Sequence, residues 1–157
     1  MRAGIALGSN LGDRTKLLTE AIGHLKALHV SGEFLVSNLY ETEPVDCPSY
    51  SPLFLNAVVE LESTLDPLTL LYRLQSLEIE LGRPKNHGIN EPRTLDLDLL
   101  YLDGITMNHS ELVLPHPRMT ERLFVLAPLA DIRPDLKLSG WSLTCQEYLI
   151  RIRNKQL

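Results

Sequence analysis

A chain of 157 residues, 44% of them hydrophobic, is long enough to bury one sizeable core. Its formal net charge of −5 argues against a general nucleic-acid binder, which usually has a basic surface, and no apolar run approaches the length of a membrane span. The two cysteines have neither metal-ligand spacing nor the pattern of a disulfide framework. We therefore expect a single domain, residues 1–157, in a soluble cytoplasmic protein.

Apolar patterns in the first half of the chain predict three strands and a helix. Residues Arg2 to Leu7 form a short buried strand, and Asp13 is a suitable N-cap for the helix that follows. Glu33 to Tyr40 is the second strand candidate and Phe54 to Leu61 the third. The segment from Glu41 to Pro52 has no periodicity, and a loop of this length is usually functional or mobile.

The middle of the chain predicts a second helix and a fourth strand. The helix begins at Asp66-Pro67 and ends at Gly82. A second long loop, Arg83 to Thr94, separates it from a strand over Leu95 to Leu102. The two long loops are candidate lids that close over a bound substrate.

The C-terminal part predicts shorter elements. Asp103-Gly104 is a hairpin turn signal, and Leu112 to Leu114 is a last short strand. Thr120 to Ile132 is expected to form a short helix limited by Pro128, and Ser142 to Ile152 a final helix. The main order of strand, helix, strand, strand, helix, strand predicts an α+β fold. We expect a ferredoxin-like split βαβ sandwich, with an antiparallel sheet, helices packed on one face and extra C-terminal elements.

Two carboxylates in the fourth strand are the first candidate site. Asp96 and Asp98 should point to the same face, about 7 Å apart, because strand side chains alternate. The opposite face is expected to hold Leu95, Leu97, Leu99 and Tyr101, and the acidic face to hold Leu100 and Leu102. An ordinary solvated strand face is the alternative, but carboxylates at the entry of an apolar strand also suit Mg²⁺ with phosphate and water ligands.

Basic residues before this strand strengthen the interpretation. Arg83, Lys85 and Arg93 are suited to bind a polyphosphate, and a solvated loop of mixed charge is the alternative. His116 stands between two prolines with Arg122 close behind, a setting that suits phosphate binding, and a surface or core histidine is the alternative.

An aromatic ring and an amide form another candidate site. Phe54 and Asn56 have the same strand parity, so they are suited to stack on a flat heterocycle and to bond its edge. A core phenylalanine and a structural asparagine are the alternative.

Several segments together resemble 6-hydroxymethyl-7,8-dihydropterin pyrophosphokinases of folate biosynthesis. The segments, in order, are GSNLGDR, SNLYETEPV, FLNAVVEL, LQSLEIELGR, EPRTLDLDLLYLDG and LPHPRMTERLFVLAPLADIRPDL. The resemblance covers nearly the whole chain, to about Leu136, and implies transfer of the β,γ-pyrophosphoryl group of ATP to the hydroxymethyl group of the pterin, with release of AMP.

The resemblance also implies roles for particular residues. Asp96 and Asp98 match the pair that holds two Mg²⁺ ions, and with Arg83, Lys85 and Arg93 they form the catalytic set. The positions that contact ATP are Gln75, Glu78, Arg83, Lys85, Arg93, Leu99, His116 and Arg122. The positions that contact the pterin are Thr42, Val45, Phe54, Asn56, Asp96 and Phe124.

Some positions depart from the family pattern. Glu91 stands where the family usually has a glycine before Pro92, and Ile89 and Asn90 stand where it has an aromatic residue together with a basic one. Glu111 stands where some members have a base. The expected partners are small-molecule substrates, without nucleic acid or membrane. Association with other folate-pathway enzymes stays open, and we expect a monomer or weak dimer.

Two other functions remain as alternatives. One is a different metal-dependent nucleotidyl or phosphoryl transferase that uses the same acidic pair. The other is a ferredoxin-like module that binds single-stranded RNA on its sheet, which the 6% aromatic content and acidic balance disfavour.

Overall fold

The computed structural model describes residues 1–10, 12–42, 53–82 and 95–155. The first half contains β1 (Arg2–Ser9), α1 (Arg14–Leu28), β2 (Leu35–Val36), β3 (Tyr40–Thr42), β4 (Phe54–Glu62) and α2 (Pro67–Gly82). The second half contains β5 (Asp96–Leu102), β6 (Met107–Asn108), β7 (Val113–Leu114), a 3₁₀ turn (Met119–Glu121), α3 (Leu123–Ile132) and α4 (Cys145–Lys155). No helix in these residues is long and apolar enough to cross a membrane.

The main sheet is antiparallel and has β1 at its centre. Strand β1 pairs with β4 on one side and with β5 on the other, and β2 and β3 both pair with the outer edge of β4. This arrangement confirms the predicted ferredoxin-like fold. The predicted strand over residues 33–40 is instead two short strands, because β2 ends at Val36 and pairing with β4 resumes at Tyr40.

Helices cover both faces of the sheet. The leucine-rich stripes of α1 and α2 pack on one face, against residues such as Ile5, Leu61 and Leu97, and we call this the N-terminal core. Helices α3 and α4 pack on the other face, against Ala6 and Val58, and we call this the C-terminal core. The expectation of helices on one face is therefore correct for α1 and α2 only, since the second face is also apolar and needs its own cover.

Both C-terminal helices differ from the sequence prediction. Pro128 lies inside α3 rather than limiting it, because burial of neighbours such as Leu126 and Leu129 offsets the lost hydrogen bond. Helix α4 begins at Cys145 rather than Ser142. Its start is set by a capping box in which Thr144 and Glu147 each accept the other's backbone N–H, at 3.2 and 3.0 Å.

A bulge in β5 changes the predicted alternation of side chains. Ile5 pairs with Leu99 but Gly4 pairs with Tyr101, so Leu100 is an additional residue opposite β1. Beyond the bulge, Tyr101 belongs to the C-terminal core and Leu102 to the N-terminal core, so the predicted faces of these two residues are wrong. The ring of Tyr101 lies over Gly4, where an added Cβ would be 2.2 Å from a ring carbon.

Tyr101 also takes part in a buried polar cluster. Its hydroxyl donates to the carboxylate of Glu60, which is 0% exposed and accepts a second bond from the Arg2 guanidinium at 2.9 Å. Burial, followed by the charge of Glu60, raises the pKa of Tyr101, so the phenol stays protonated.

The turn after β5 does not close the predicted hairpin with β5. Asp103 has φ 46°, and the Ile105 N–H donates to the Leu102 carbonyl at 3.0 Å, so a turn is present. However, β6 pairs with β7 and not with β5. This small β6–β7 hairpin lies beside α2 and β5 and contributes to the site described next.

Candidate active site

The two aspartates open β5 and lie at its accessible end. Asp96 and Asp98 are exposed, whereas Leu97 and Leu99 are buried in the N-terminal core. Asp98 pairs with Ala6 of the C-terminal core, so both carboxylates point to the face that α3 and α4 cover farther along the strand. The predicted shared face and exposed entry end are confirmed.

A row of register partners runs across the sheet from the acidic pair. Asp96 pairs with Gly8, which pairs with Asn56, which in turn pairs with Tyr40. An added Cβ at Gly8 would lie 3.1 Å from Asn56 Nδ2 and 3.7 Å from Phe54 Cδ1. Because Gly8 has no side chain, the surface of the sheet is open between Asp96 and Asn56. The sequence analysis missed this feature. A glycine inside a strand pattern is a signal of such close approach.

The amide of Asn56 is fixed by its neighbour. Thr42 donates its hydroxyl proton to Asn56 Oδ1, and Asn56 is only 6% exposed. The Nδ2 group of Asn56 then faces Gly8. Thr42 itself pairs with Phe54, so three of the predicted pterin contacts are neighbours at one end of β3 and β4.

Phe124 and Arg122 stand at the start of α3. The Arg122 guanidinium carbon lies 5.5 Å from the Phe124 ring centroid, within cation–π range. Phe124 is half-buried and packs against the C-terminal core, so its ring is supported on one side by the helix that carries it.

A pocket of about 340 Å³ lies between α2, β5 and the β6–β7 hairpin. It brings together four of the residues predicted to contact ATP and one of the aspartates: Gln75, Glu78, Leu99, His116 and Asp98. Its volume is in the range of small-ligand pockets. Asp98 therefore belongs both to the acidic pair and to the wall of this pocket.

Glu78 has a structural contact that sequence reasoning did not anticipate. It is only 9% exposed, and its Oε2 accepts the backbone N–H of Leu97 at 2.9 Å. Leu97 is the residue between Asp96 and Asp98. The Glu78 carboxylate therefore fixes the backbone of β5 between the two aspartates.

Glu111 also lines the pocket. Its carboxylate accepts a hydrogen bond from the Tyr72 hydroxyl, and its backbone N–H donates to His109 Nδ1 at 3.0 Å. Tyr72 thus links α2 to the turn between β6 and β7. The acidic residue that departs from the family pattern is held at the pocket by this contact.

His116 is oriented by its own backbone surroundings. Its backbone N–H donates to the Leu100 carbonyl at 2.8 Å, and its ring Nδ1 accepts the backbone N–H of Arg118 at 3.3 Å. In the neutral ring, Nε2 therefore carries the proton. Burial lowers the pKa of His116, and this effect outweighs the opposing charge of Asp98. The neutral imidazole can donate one hydrogen bond from Nε2.

We expect NMR titration to give His116 a pKa below the ordinary value of about 6.5. The unfolded chain then takes up the proton first as the pH falls, so His116 contributes full stability above about pH 6.5 and loses it at lower pH. Urea unfolding should show that the free energy of unfolding changes less between pH 7.5 and 5.5 in His116→Gln than in the wild type. A folded-state pKa at or above 6.5 would contradict this assignment.

Four predicted site residues lie outside the described residues. Val45 belongs to residues 43–52, and Arg83, Lys85 and Arg93 belong to residues 83–94. Both predicted lids lie there as well, apart from the first two residues of the first one. The roles of these residues therefore stay predictions.

The two aspartates suit a metal ion whose other ligands come from a bound substrate and water. In the four described ranges, no group of three or more His, Cys, Asp or Glu side chains is arranged to hold a metal ion. Asp96 and Asp98 form a pair, and Mg²⁺ typically takes one or two carboxylates and completes its shell with phosphate oxygens and water. The pair thus suits a metal that arrives with a polyphosphate.

The fold and site together define a class, a ferredoxin-like α+β domain with an acidic pair between a pocket of about 340 Å³ and a polar, aromatic patch. The model of the 7,8-dihydro-6-hydroxymethylpterin-pyrophosphokinase (HPPK) family matches residues 4–134. The chain belongs to this family.

Individual relatives agree with the family match. A 2-amino-4-hydroxy-6-hydroxymethyldihydropteridine pyrophosphokinase from Bacillus subtilis is 41% identical over 150 residues, which cover 96% of this chain and 89% of the relative. One from Porphyromonas gingivalis is 44% identical over 133 residues, covering 83% and 89%. A folate synthesis bifunctional protein from Arabidopsis thaliana is 43% identical over 128 residues, covering 82% of this chain but 26% of the relative.

A solved structure supports the fold. The Plasmodium falciparum HPPK-DHPS crystal structure with pteroate has a TM-score of 0.76 and 18% identity, and the match covers 99% of this chain. The chain spans 43% of that longer protein. The predicted family, fold and enzyme class are confirmed, and the activity is ATP-dependent pyrophosphoryl transfer in folate biosynthesis. Neither the RNA-binding module nor another transferase is favoured by these relatives.

Proposed function

We propose that three neighbouring parts of the site divide the reaction between them. The pocket beside α2 takes the nucleoside of ATP, and the patch of Thr42, Phe54, Asn56 and Phe124 takes the pterin. Asp96 and Asp98, between these two parts, are the residues that would hold Mg²⁺. The observation that supports this division is the position of the acidic pair. Asp98 lines the pocket, while Asp96 is in register with Gly8 and Asn56.

In this proposal the pterin is bound by its faces and its edge. Phe54 and Phe124 stack on the flat ring, which lies over the open surface of the sheet at Gly8. Because Thr42 occupies Oδ1 of Asn56, the Nδ2 group remains to donate to an acceptor on the ring edge. The arrangement fixes the orientation of the ring, and with it the direction of the hydroxymethyl group.

The chemical step is an in-line displacement. The hydroxymethyl oxygen gives up its proton to water and forms a bond to the β-phosphorus of ATP. The bond from the β-phosphorus to the bridging oxygen of the α-phosphate breaks, and AMP leaves with that oxygen. Mg²⁺ held by the aspartates would supply neutralisation of the phosphate charge. Glu78 keeps the aspartates in place through Leu97, and neutral His116 donates from Nε2 to an acceptor in the pocket. No covalent enzyme intermediate is expected.

The test is the identity of the products. Incubation with ATP, Mg²⁺ and 6-hydroxymethyl-7,8-dihydropterin should yield one AMP for each pterin diphosphate formed. Omitting the pterin should stop AMP formation, and chelating Mg²⁺ with EDTA should stop it until excess Mg²⁺ is added. Formation of ADP alone would contradict the proposal.

We further propose that the protein acts in the cytoplasm, as a monomer or weak dimer, beside other folate-pathway enzymes. Support for the last point comes from relatives in which the matching region is only part of a longer chain, such as the bifunctional Arabidopsis thaliana protein. Cys145 is a free buried thiol, which agrees with a reducing compartment.

A further inference from the structure

A single guanidinium joins the ends of two strands to the first helix. Arg14, in the first turn of α1, donates from Nη1 to the Leu53 carbonyl at 2.7 Å and from Nη2 to Glu41 Oε1 at 3.1 Å. Glu41 directly precedes Thr42, and Leu53 directly precedes Phe54. Thr42 and Phe54 are register partners at the end of the β3–β4 ladder.

Arg14 lies on the face of the sheet that α1 covers, opposite to the side chains of Thr42 and Phe54. Glu41 pairs with Leu55, which is buried in the N-terminal core, so the Glu41 side chain is on the side of α1. The side chains of Thr42 and Phe54 alternate to the other side, where the Asn56 amide accepts the Thr42 hydroxyl. A ligand that stacks on Phe54 is therefore separated from Arg14 by the sheet itself.

We propose that Arg14 is a positioning residue for the pterin patch: it fixes Thr42 relative to Phe54 without contacting the ligand. This inference rests on the proposed placement of the pterin. The other end of β3 has its own anchor, since Tyr40 donates to Asp131 of α3 at 2.7 Å. Arg14 therefore fixes the Thr42 end of β3 and not its Tyr40 end.

The geometry requires arginine rather than a positive charge in general. The two contacts use two separate nitrogens of one planar group, one aimed at a backbone carbonyl and one at a carboxylate. A lysine ammonium is a single point on a flexible stem and cannot reproduce this fork. The side chain of Arg14 is 28% exposed and that of Glu41 is 56% exposed, so the ion pair alone contributes little to overall stability.

The test compares steady-state kinetics of Arg14→Ala and Lys16→Ala. Lys16 is exposed in the same turn of α1 but points to a different side of the helix, so its replacement removes one positive charge without touching Glu41 or Leu53. Arg14→Ala should raise the KM for the pterin about five- to tenfold, as expected for loss of two weak contacts, and change the KM for ATP less than about twofold. Lys16→Ala should change neither. Arg14→Lys should fall between wild type and Arg14→Ala, and Glu41→Gln should have a smaller effect because the Leu53 contact remains.

The design separates failure of this inference from failure of the site assignment. Phe54→Ala is measured in parallel. If Phe54→Ala raises the pterin KM and Arg14→Ala does not, Arg14 has no positioning role. If neither variant changes it, the proposed pterin patch is wrong and the inference about Arg14 is overturned with it. Equal increases in both KM values for Arg14→Ala, or an equal effect of Lys16→Ala, would also overturn it.

Discussion

Replacing Asp96 or Asp98 with asparagine is expected to remove most of the turnover while leaving the fold intact. Asparagine keeps the shape of the side chain but loses the charge that makes a carboxylate a good Mg²⁺ ligand. Loss of an outer-sphere partner of a metal ligand typically costs roughly 10- to 100-fold in affinity or activity, so loss of a direct ligand should reduce kcat by about 100-fold or more. Both side chains are exposed at the start of β5, so the melting temperature should change little.

The matched control is Asp103→Asn at the other end of the same strand. Asp103 lies in the turn after β5 with φ 46°, a conformation that asparagine also tolerates. This variant should retain wild-type kcat. Calorimetric titration with Mg²⁺ and a non-hydrolysable ATP analogue should show weakened metal binding only in the variants of Asp96 and Asp98. Full activity in either of those variants would refute the metal assignment.

Replacing Phe54 with alanine is expected to weaken pterin binding far more than ATP binding. One stacked ring contributes about 1–3 kcal/mol to the binding of a flat base, so the Kd for the pterin should rise roughly 5- to 150-fold. The pocket proposed for the nucleotide is formed by α2, β5 and the β6–β7 hairpin and does not include Phe54. The Kd for an ATP analogue should therefore stay within about twofold of the wild-type value.

Phe34→Ala provides the comparison for Phe54→Ala. Phe34 packs on the N-terminal core, with its ring centroid 5.5 Å from that of His29, so the same truncation is made away from the site. It should lower stability without changing the ratio of the two affinities. Similar losses of pterin and ATP affinity in Phe54→Ala would contradict the stacking role.

The elements of the fold and the acidic pair could be predicted because they depend on local patterns, whereas the reaction was predicted from the resemblance of several segments to one family. The alternation of Leu97 and Leu99 with the two aspartates is visible in the sequence, and so is the Asp66-Pro67 helix start. Thr69 indeed donates its backbone N–H to the Asp66 carboxylate at 2.9 Å. Such features need only a few consecutive residues to specify them.

Long-range contacts could not be predicted in this way. The bond from Leu97 to Glu78, the Arg14 contacts with Leu53 and Glu41, and the close approach at Gly8 each join segments distant in the chain. The pattern of a single segment contains no information about which side chain of another element will meet it. The same limit explains why the cover provided by α3 and α4 on the second face was assigned only as extra elements.

The additional residue in β5 has a consequence for how the strand can vary. Leu99 pairs with Ile5 and Tyr101 with Gly4, and these two pairs would follow each other in regular alternation if Leu100 were absent. Deleting Leu100 would therefore leave the carboxylates and the phenol pointing as they do now, and would remove one leucine that is 1% exposed. The inserted residue fills space beneath the last two helices, and its carbonyl accepts the backbone N–H of His116 at 2.8 Å. A shorter strand would therefore keep its alternation of side chains but lose the anchor of the histidine that lines the pocket.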